Sequence, residues 1–330
     1  MGLYNIYNKK RRNTWLFILI ILVLLVLTVI VSKSIFTIID TTVSEDRVNC
    51  RVIITLDYGK SLILDSMVTN NKQLSAFDAL ESVASIDSTG GFVNSINGIS
   101  STYSLVNNEP KDWFYYINGM LSPVGSKSYI VHDGDIIHWD YHLWFDYKSS
   151  TAIIGDYPEP FLHGFNGNQP GNFIVYTLDS KGNAERIHQV LSSRYNISSS
   201  LIPVDNLTSD IKSRGNLILI GVLDVHPLIR EVMSLSQELG LFIRYDNGSM
   251  IVLDELYRIN DYFDHGGCIL ALQNYWNPKG SINGENVIWI ISGITSIDVD
   301  NACDILCYHP ERIRYANSVV VVDNKVLEVP

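Results

Sequence analysis

Lys9, Lys10, Arg11 and Arg12 stand directly before Trp15–Val31, an almost unbroken apolar run, and apolar character resumes at Ile35–Ile39. A run of roughly 20 apolar residues is long enough to cross a bilayer as a helix. Basic clusters stay on the cytoplasmic side. The pattern therefore predicts a cytoplasmic basic tail over 1–13, one transmembrane signal anchor over 14–39, and an extracytoplasmic remainder at the cell membrane. The alternative is a cleaved signal peptide, whose apolar core spans about 7–15 residues before a small-residue cleavage site. Here the run is longer, and no A-x-A follows it.

A chain of 330 residues with 46% hydrophobic content has room for about two cores. Its net charge of -11, from 24 Lys+Arg against 35 Asp+Glu, argues against a nucleic-acid partner, because phosphate binding needs a basic face. Cations, neutral ligands or a cell-surface setting suit it better. The four cysteines, Cys50, Cys268, Cys303 and Cys307, permit two disulfides but lack framework spacing or a C-x-x-C pattern. They read as small buried side chains. Asn196-Ile-Ser, Asn206-Leu-Thr and Asn247-Gly-Ser are compatible with surface glycosylation.

Two units follow a polar connector at Thr41–Arg47. The first, over 48–147, opens with the strand "CRVIITLDYG" and its hairpin partner "LILDSMV". "SAFDALESVAS" has helical spacing with Ser75 as N-cap. Asn97-Gly98 and Asn118-Gly119 mark hairpins, and a last strand follows Asp133-Gly134. This order suggests an α+β, β-grasp-like sheet over one helix. A Pro/Gly-rich loop spans 148–171. The second unit, 172–330, alternates strands ("NFIVYTL", "NLILIGVLD", "CILALQNYW", "VIWIISG") with helical segments ("NAERIHQVLSSRY", "HPLIREVMSLSQELG", "SIDVDNACDILCYH"). That alternation predicts an α/β domain with a largely parallel sheet.

The stretch "DWFYYINGMLSPVGSKSYIVHDGDIIHWDYH" combines W-x-Y-Y-x-N-G with D-G-D-x-I-x-W-x-Y. With the upstream strand, helix and "GGFVNSINGIS", it resembles the transcobalamin-like C-terminal domain family over about 50–142. The resemblance implies a small β-grasp fold. In transcobalamin and intrinsic factor the corresponding domain helps enclose cobalamin, and in many microbial surface relatives the ligand is not established. It also implies that Trp139 and Tyr141, at the recurrent W-x-Y positions, face the core.

That orientation turns His138, Asp140 and His142 to the other face, since alternate residues of a strand point the same way. His, Asp, His is a metal-ligand composition. Three alternate positions span about 13 Å, however, too far for one zinc with bonds of about 2 Å on a straight strand. No metal is therefore assigned. A ligand rim and a solvated sheet face remain open, the solvated face being the plainer reading. Trp113 and Tyr115 share one face of the aromatic strand; Phe114, Tyr116 and Asn118 share the other, so one face can be core and the other a binding platform. Trp144 and His163, the latter in "PEPFLHG", flank the junction of the two units, where pockets form. The ligand-binding candidates are Trp113, Tyr115, Tyr116, Asn118, His138, Asp140, His142, Trp144 and His163.

In the second unit Thr177, Asp179, Asp224, His226, Ser292, Gly293, Thr295 and Asp298 collect where strands end and helices begin. Ligands bind there in open α/β sheets, but helix capping uses the same residue types. No G-x-G-x-x-G, Walker loop, G-x-S-x-G or H-E-x-x-H occurs. No enzyme is expected, and no cofactor is identified. The expected function is capture of a small ligand at the cell surface, with a corrinoid as candidate and a transporter as candidate partner. The alternative is a structural or adhesive cell-envelope protein.

Overall fold

The computed structural model describes residues 25–28, 47–102, 110–144 and 150–330. Residues 48–330 cluster into one compact unit. It begins with β1 (Val48–Leu56), β2 (Ser61–Asn70), helix α1 (Ala76–Glu81), β3 (Ile86–Thr89), β4 (Phe92–Ile96), β5 (Ile99–Ser100), β6 (Lys111–Ile117), β7 (Met120–Leu121) and β8 (Ile136–Leu143). One sheet has the order β2-β1-β8-β6-β7, and β3, β4 and β5 form a second, small one. In the larger sheet β1 and β8 lie parallel at the centre, while β1–β2 and β6–β8 are antiparallel.

Local chemistry sets these elements. Ser75 caps α1 through a capping box with Asp78, which satisfies two otherwise orphaned amides. The Asn97-Gly98 and Asn118-Gly119 turns have positive φ at both residues, the conformation that two-residue hairpins require. Cys50, Val52 and Ile54 of β1 join Trp113, Ile117, Ile137, Trp139 and Tyr141 in a core that also takes Phe77 and Leu80 of α1.

The chain continues with β9 (Asn172–Tyr176), α2 (Lys181–Tyr195), β10 (Ser200–Pro203), α3 (Ser209–Arg214), β11 (Asn216–Val222), α4 (Pro227–Ser234), β12 (Ile243–Asp246), β13 (Ser249–Leu253) and β14 (Ile259–Phe263). It closes with β15 (Gly267–Gln273), β16 (Val287–Gly293), α5 (Ser296–Tyr308), β17 (Ser318–Val322) and β18 (Lys325–Val329). The order of its main sheet is β10-β9-β11-β16-β15-β17-β18, and β12, β13 and β14 make a separate meander. Ile174, Ile218, Ile269 and Trp289 of this sheet belong to the same buried cluster as Trp113 and Trp139 of the first.

The expected fold class needs correction. The described residues are mostly strand with few helices, not an α+β β-grasp-like domain followed by a helix-rich α/β domain. The second sheet is not largely parallel. Its pairings are parallel from β10 through β9 and β11 to β16, then antiparallel from β16 through β15 and β17 to β18. "CILALQ" and "VIWIIS" are apolar on both faces, and periodicity cannot tell a buried parallel strand from a buried antiparallel one. The expected transmembrane helix is corrected as well: among the described residues no helix is long and apolar enough to cross a membrane. Apart from the helical residues 25–28, the segment 14–39 lies outside the described residues. All four cysteines are buried and free.

Candidate functional site: a buried histidine–carboxylate seam

All eight residues of β8 are buried. Its register places Thr55 of β1 beside Asp140, and Tyr116 and Phe114 of β6 beside His138 and Asp140. On the face of Trp139 and Tyr141, Tyr115 stacks on Trp139 with ring centroids 4.9 Å apart, and Trp113 lies 5.1 Å from Tyr141. The opposite face carries His138, Asp140 and His142, which are 1%, 4% and 1% exposed. The reading of a solvated outer face is thereby overturned. Both faces of the strand are covered, because later parts of the chain fold back over the sheet.

The cover consists of the turn at Asp57–Gly59, the segment around Asp156, and the backbone at Tyr315. Two glycines permit the approach. A Cβ on Gly59 would lie 2.0 Å from the Tyr315 carbonyl oxygen, and one on Gly155 would lie 2.3 Å from the Tyr315 carbonyl carbon. Only residues without side chains allow backbones to come this close.

Within the seam Asp140 accepts four hydrogen bonds. Oδ1 takes the Thr55 hydroxyl at 2.6 Å and the Gly59 amide at 3.0 Å; Oδ2 takes the Tyr58 amide at 2.9 Å and His142 Nδ1 at 2.7 Å. Burial pushes the Asp140 carboxyl up, but the bonds and charge of His142, with the Thr55 bond, outweigh it and hold the group below the ordinary carboxylate value. The Thr55 hydroxyl has one proton, which goes to Asp140. His138 Nε2, 2.8 Å from that oxygen, therefore donates to it. His138 Nδ1 lies 2.9 Å from Asp156 Oδ1. One proton sits in that contact, so the buried pair is either imidazolium–carboxylate or imidazole–carboxylic acid, neutral overall in both forms.

His142 ends the series. Its ring lies between Tyr58, at 4.1 Å and 24°, and Phe114, at 4.3 Å and 10°. The Tyr58 hydroxyl donates to the Leu143 carbonyl at 2.5 Å, and burial pushes it well above its usual pKa. With Nδ1–H given to Asp140, His142 Nε2 is left buried with no partner, as is Asp156 Oδ2. Asp156, His138, Thr55, Asp140 and His142 thus form one continuous polar chain linking β1, β8 and the returning segment.

The other candidates are placed as follows. Tyr116 is buried edge-on to His138 at 6.4 Å and donates to the Ser150 carbonyl at 3.2 Å. The Trp113 indole donates to the Ile99 carbonyl at 2.9 Å, and the Tyr115 hydroxyl donates to the Val124 carbonyl. Asn118 is fully buried; it donates to Asp135 Oδ1 and the Gly164 carbonyl, both at 2.8 Å, and accepts from the Ile136 amide at 2.8 Å. The Trp144 amide donates to the Pro110 carbonyl at 3.0 Å. His163, partly exposed, pairs through Nδ1 with the buried Glu159 at 2.5 Å. Its bond to Glu159 raises His163, while burial raises Glu159. His138, Asp140, His142 and Tyr116 come together; Asn118 and His163 bind partners of their own.

At the strand ends of the second sheet the polar residues mostly serve the backbone. His226 Nδ1 caps α4, Thr295 and Asp298 form a capping box on α5, and the Ser292 hydroxyl donates to the Gly221 carbonyl at 2.5 Å. Sequence reasoning missed Thr55, Tyr58, Asp156 and Tyr315. The one local signal was Gly155 beside Asp156, a glycine outside any hairpin and a mark of close backbone approach; Gly59 reads as an ordinary residue of the β1–β2 turn, and Thr55 and Tyr315 carry no such mark.

Among the described residues no group of three or more His, Cys, Asp or Glu is arranged to hold a metal ion. A cavity of about 10 Å³, lined among others by Ser150, Thr151, Phe242 and Asn317, has room for about one water.

Residues 74–143 match the model of a domain of unknown function, DUF4430. The match takes in β8 with its histidines and stops short of Asp156 and Tyr315; Thr55 and Tyr58 precede it. No curated protein matches the chain. Among solved structures, the chain is similar to a candidate metal-binding protein from Ruminococcus gnavus at 12% identity, covering 30% of this chain and 99% of that one, with a TM-score of 0.23. A likeness that slight bears on neither fold nor function.

Proposed function

We propose that this chain is a non-catalytic extracytoplasmic protein of the cell envelope that works through its outer surface, its histidine–carboxylate seam serving to fasten the first sheet to the rest of the molecule. The observation carrying this reading is Asp140: its four acceptor positions are filled from within the chain, and the rings beside it stack on one another. A site awaiting a ligand keeps polar groups unspent. The basic cluster and apolar run at 9–31 support an exported chain, and a transcobalamin-like origin of residues 74–143 agrees with a non-catalytic role.

Capture of a small ligand, with a corrinoid as candidate and a transporter as recipient, is a second reading. It is favoured by the unpartnered Nε2 of His142, a buried polar atom left for a ligand to meet. Two measurements separate the readings. Incubated with isolated envelopes of the parent cell, the protein is expected to sediment with them. Titrated with cobalamin and followed by absorbance, it is expected to give no saturable change up to high micromolar ligand. Saturable binding that is lost in His142→Ala, without envelope association, would establish capture and displace the surface reading.

A further inference from the structure

The three Asn-x-Ser/Thr tripeptides begin at Asn196, Asn206 and Asn247, and all three asparagines are exposed. Exposure therefore does not separate them. Transfer of an oligosaccharide asks for more: the tripeptide must be presented in extended form, with the side-chain amide nitrogen able to react and the hydroxyl two residues on within reach. Asn247-Gly248 is closed. Both residues have positive φ, 49° and 86°, as the corners of the hairpin between β12 and β13. Asn247 Nδ2 donates to Asp246 at 3.0 Å, and the Ser249 hydroxyl donates to Asp264 at 2.7 Å, so both reacting groups are engaged. A hairpin of this kind closes in about 1–10 µs, ahead of an enzymatic transfer.

Asn196 is closed in another way. It ends α2 in the left-handed region at φ 56°, its backbone amide bonded back to the Leu191 and Ser192 carbonyls. The next side chain, Ile197, is 2% exposed. Extending this tripeptide would undo the end of α2 and lift Ile197 out of the core. Asn206 is open. It ends a single 3-10 turn, Val204–Asn206, between β10 and α3. The next two residues are already extended, Leu207 at φ -71° and ψ 120° and Thr208 at φ -81° and ψ 153°. Asn206 and Thr208 are exposed and Leu207 is half-buried. Among the described residues the Asn206 side-chain amide has no hydrogen-bond partner. The Thr208 hydroxyl accepts from the Ile211 amide at 3.3 Å, which leaves its own proton to give.

We propose that Asn206 is an N-glycosylation site and that Asn196 and Asn247 stay unmodified. In the transfer, Asn206 Nδ2 attacks the anomeric carbon of a lipid-linked sugar phosphate. The bond from that carbon to the phosphate oxygen breaks, the phosphate leaves with the bonding electrons, and one amide proton passes to a base of the transferase. The product is a secondary amide that keeps one N–H. Asn206 meets such a donor only on an exported chain, so the site rests on the extracytoplasmic part of the reading above. It also gives that reading a direction. Among the described residues β10 is the outer strand of its sheet, and Asn206 follows just past its end. A glycan rooted there turns this side of the molecule to solvent and leaves envelope contact to the other faces.

The test is mass spectrometry of the full chain purified from the parent cell, intact and as peptides, beside fractionation of that cell into cytoplasm and envelope. The peptide holding Asn206 is expected to carry a glycan on most copies, and those holding Asn196 and Asn247 to be bare. Asn206→Gln should remove the whole added mass from the intact protein. Thr208→Asn should do the same while keeping a side chain that caps α3, so loss of the glycan is not loss of the fold. Thr208→Ser preserves the tripeptide and should keep the glycan. A bare Asn206 on chain recovered from the envelope would overturn the inference and leave the surface reading standing. Equal occupancy at all three asparagines would overturn it as well, because backbone shape would then not select among them, and so would a glycan that survives in Thr208→Asn. Bare chain recovered from the cytoplasm would remove both the site and the extracytoplasmic reading.

Discussion

Thr55 and Thr295 each donate a hydroxyl hydrogen bond to an aspartate, at 2.6 Å to Asp140 and at 2.7 Å to Asp298. The chemistry is shared and the reach is not. Thr295 and Asp298 are three residues apart and satisfy amides at the start of one helix. Thr55 and Asp140 are 85 residues apart and belong to a chain of side chains that runs on to His138, Asp156 and His142. The first arrangement belongs to one element. The second exists only when the first sheet, the Asp57–Gly59 turn and the segment around Asp156 have all come together. Loss of a group should therefore be tolerated at the strand ends of the second sheet and not in the seam.

The sharpest way to break that contrast is Asp140→Ala. It strands two backbone amides, the Thr55 hydroxyl and His142 Nδ1 in a buried place. Removing one member of a buried charged network costs about 3–5 kcal/mol, because the groups left behind cannot reach water. Denaturant unfolding of the variant should show a loss of that size, with weaker near-ultraviolet dichroism from the Tyr58–His142–Phe114 stack. A change below about 1 kcal/mol would place the seam with the surface pairs that contribute little.

How much of this was legible in the sequence follows the same division between local and distant. The Asn-Gly turns at 97, 118 and 247 and the Ser75 cap could be read directly, because a few adjacent residues determine them. The two faces of β8 could be read from alternation, and Trp139 and Tyr141 do lie in the aromatic core. What covers the other face could not be read, since Asp156 and Tyr315 come from far along the chain. The antiparallel half of the second sheet was hidden for a similar reason: "CILALQ" is buried on both faces, so its pattern fixes burial and not direction. Short edge elements without strong periodicity, such as β10, α3 and β14, gave no usable signal.

A second test varies pH. Burial lowers His226 from 6.5 to about 4, so the folded protein keeps this ring neutral. The unfolded chain binds a proton near pH 6.5 that the folded chain refuses until about pH 4. Stability from this group is thus fully present above the upper value, falls as pH drops through the window, and levels off below the lower one. The difference corresponds to at most about 3 kcal/mol. His226→Asn retains an N-cap side chain and removes the titration, so it should flatten the thermal midpoint between pH 6.5 and 4. An unchanged slope would mean that other groups set acid stability. Asp140 would not be among them, since it is held below its ordinary value of 3.8 and its contribution is lost only as pH falls below that value toward its lowered folded pKa.

The smallest expected effect is at Thr295, and it is informative because it pairs with Thr55. Thr295→Ala removes the hydroxyl that accepts from the Asp298 amide at 3.3 Å and donates to its carboxylate. The Thr295 amide still donates to Asp298 Oδ2 at 3.0 Å, and the freed Asp298 amide lies at the start of a helix. The loss should be about 1 kcal/mol, the ordinary worth of an N-cap. Thr55→Val keeps the shape of the residue but leaves a buried imidazole N–H without an acceptor and a carboxylate short of a donor, so it should cost more. Equal losses at the two sites, measured by denaturant unfolding, would show that sequence separation does not distinguish them. A larger loss at Thr55 ties the stability of the first sheet to the chain that folds back over it.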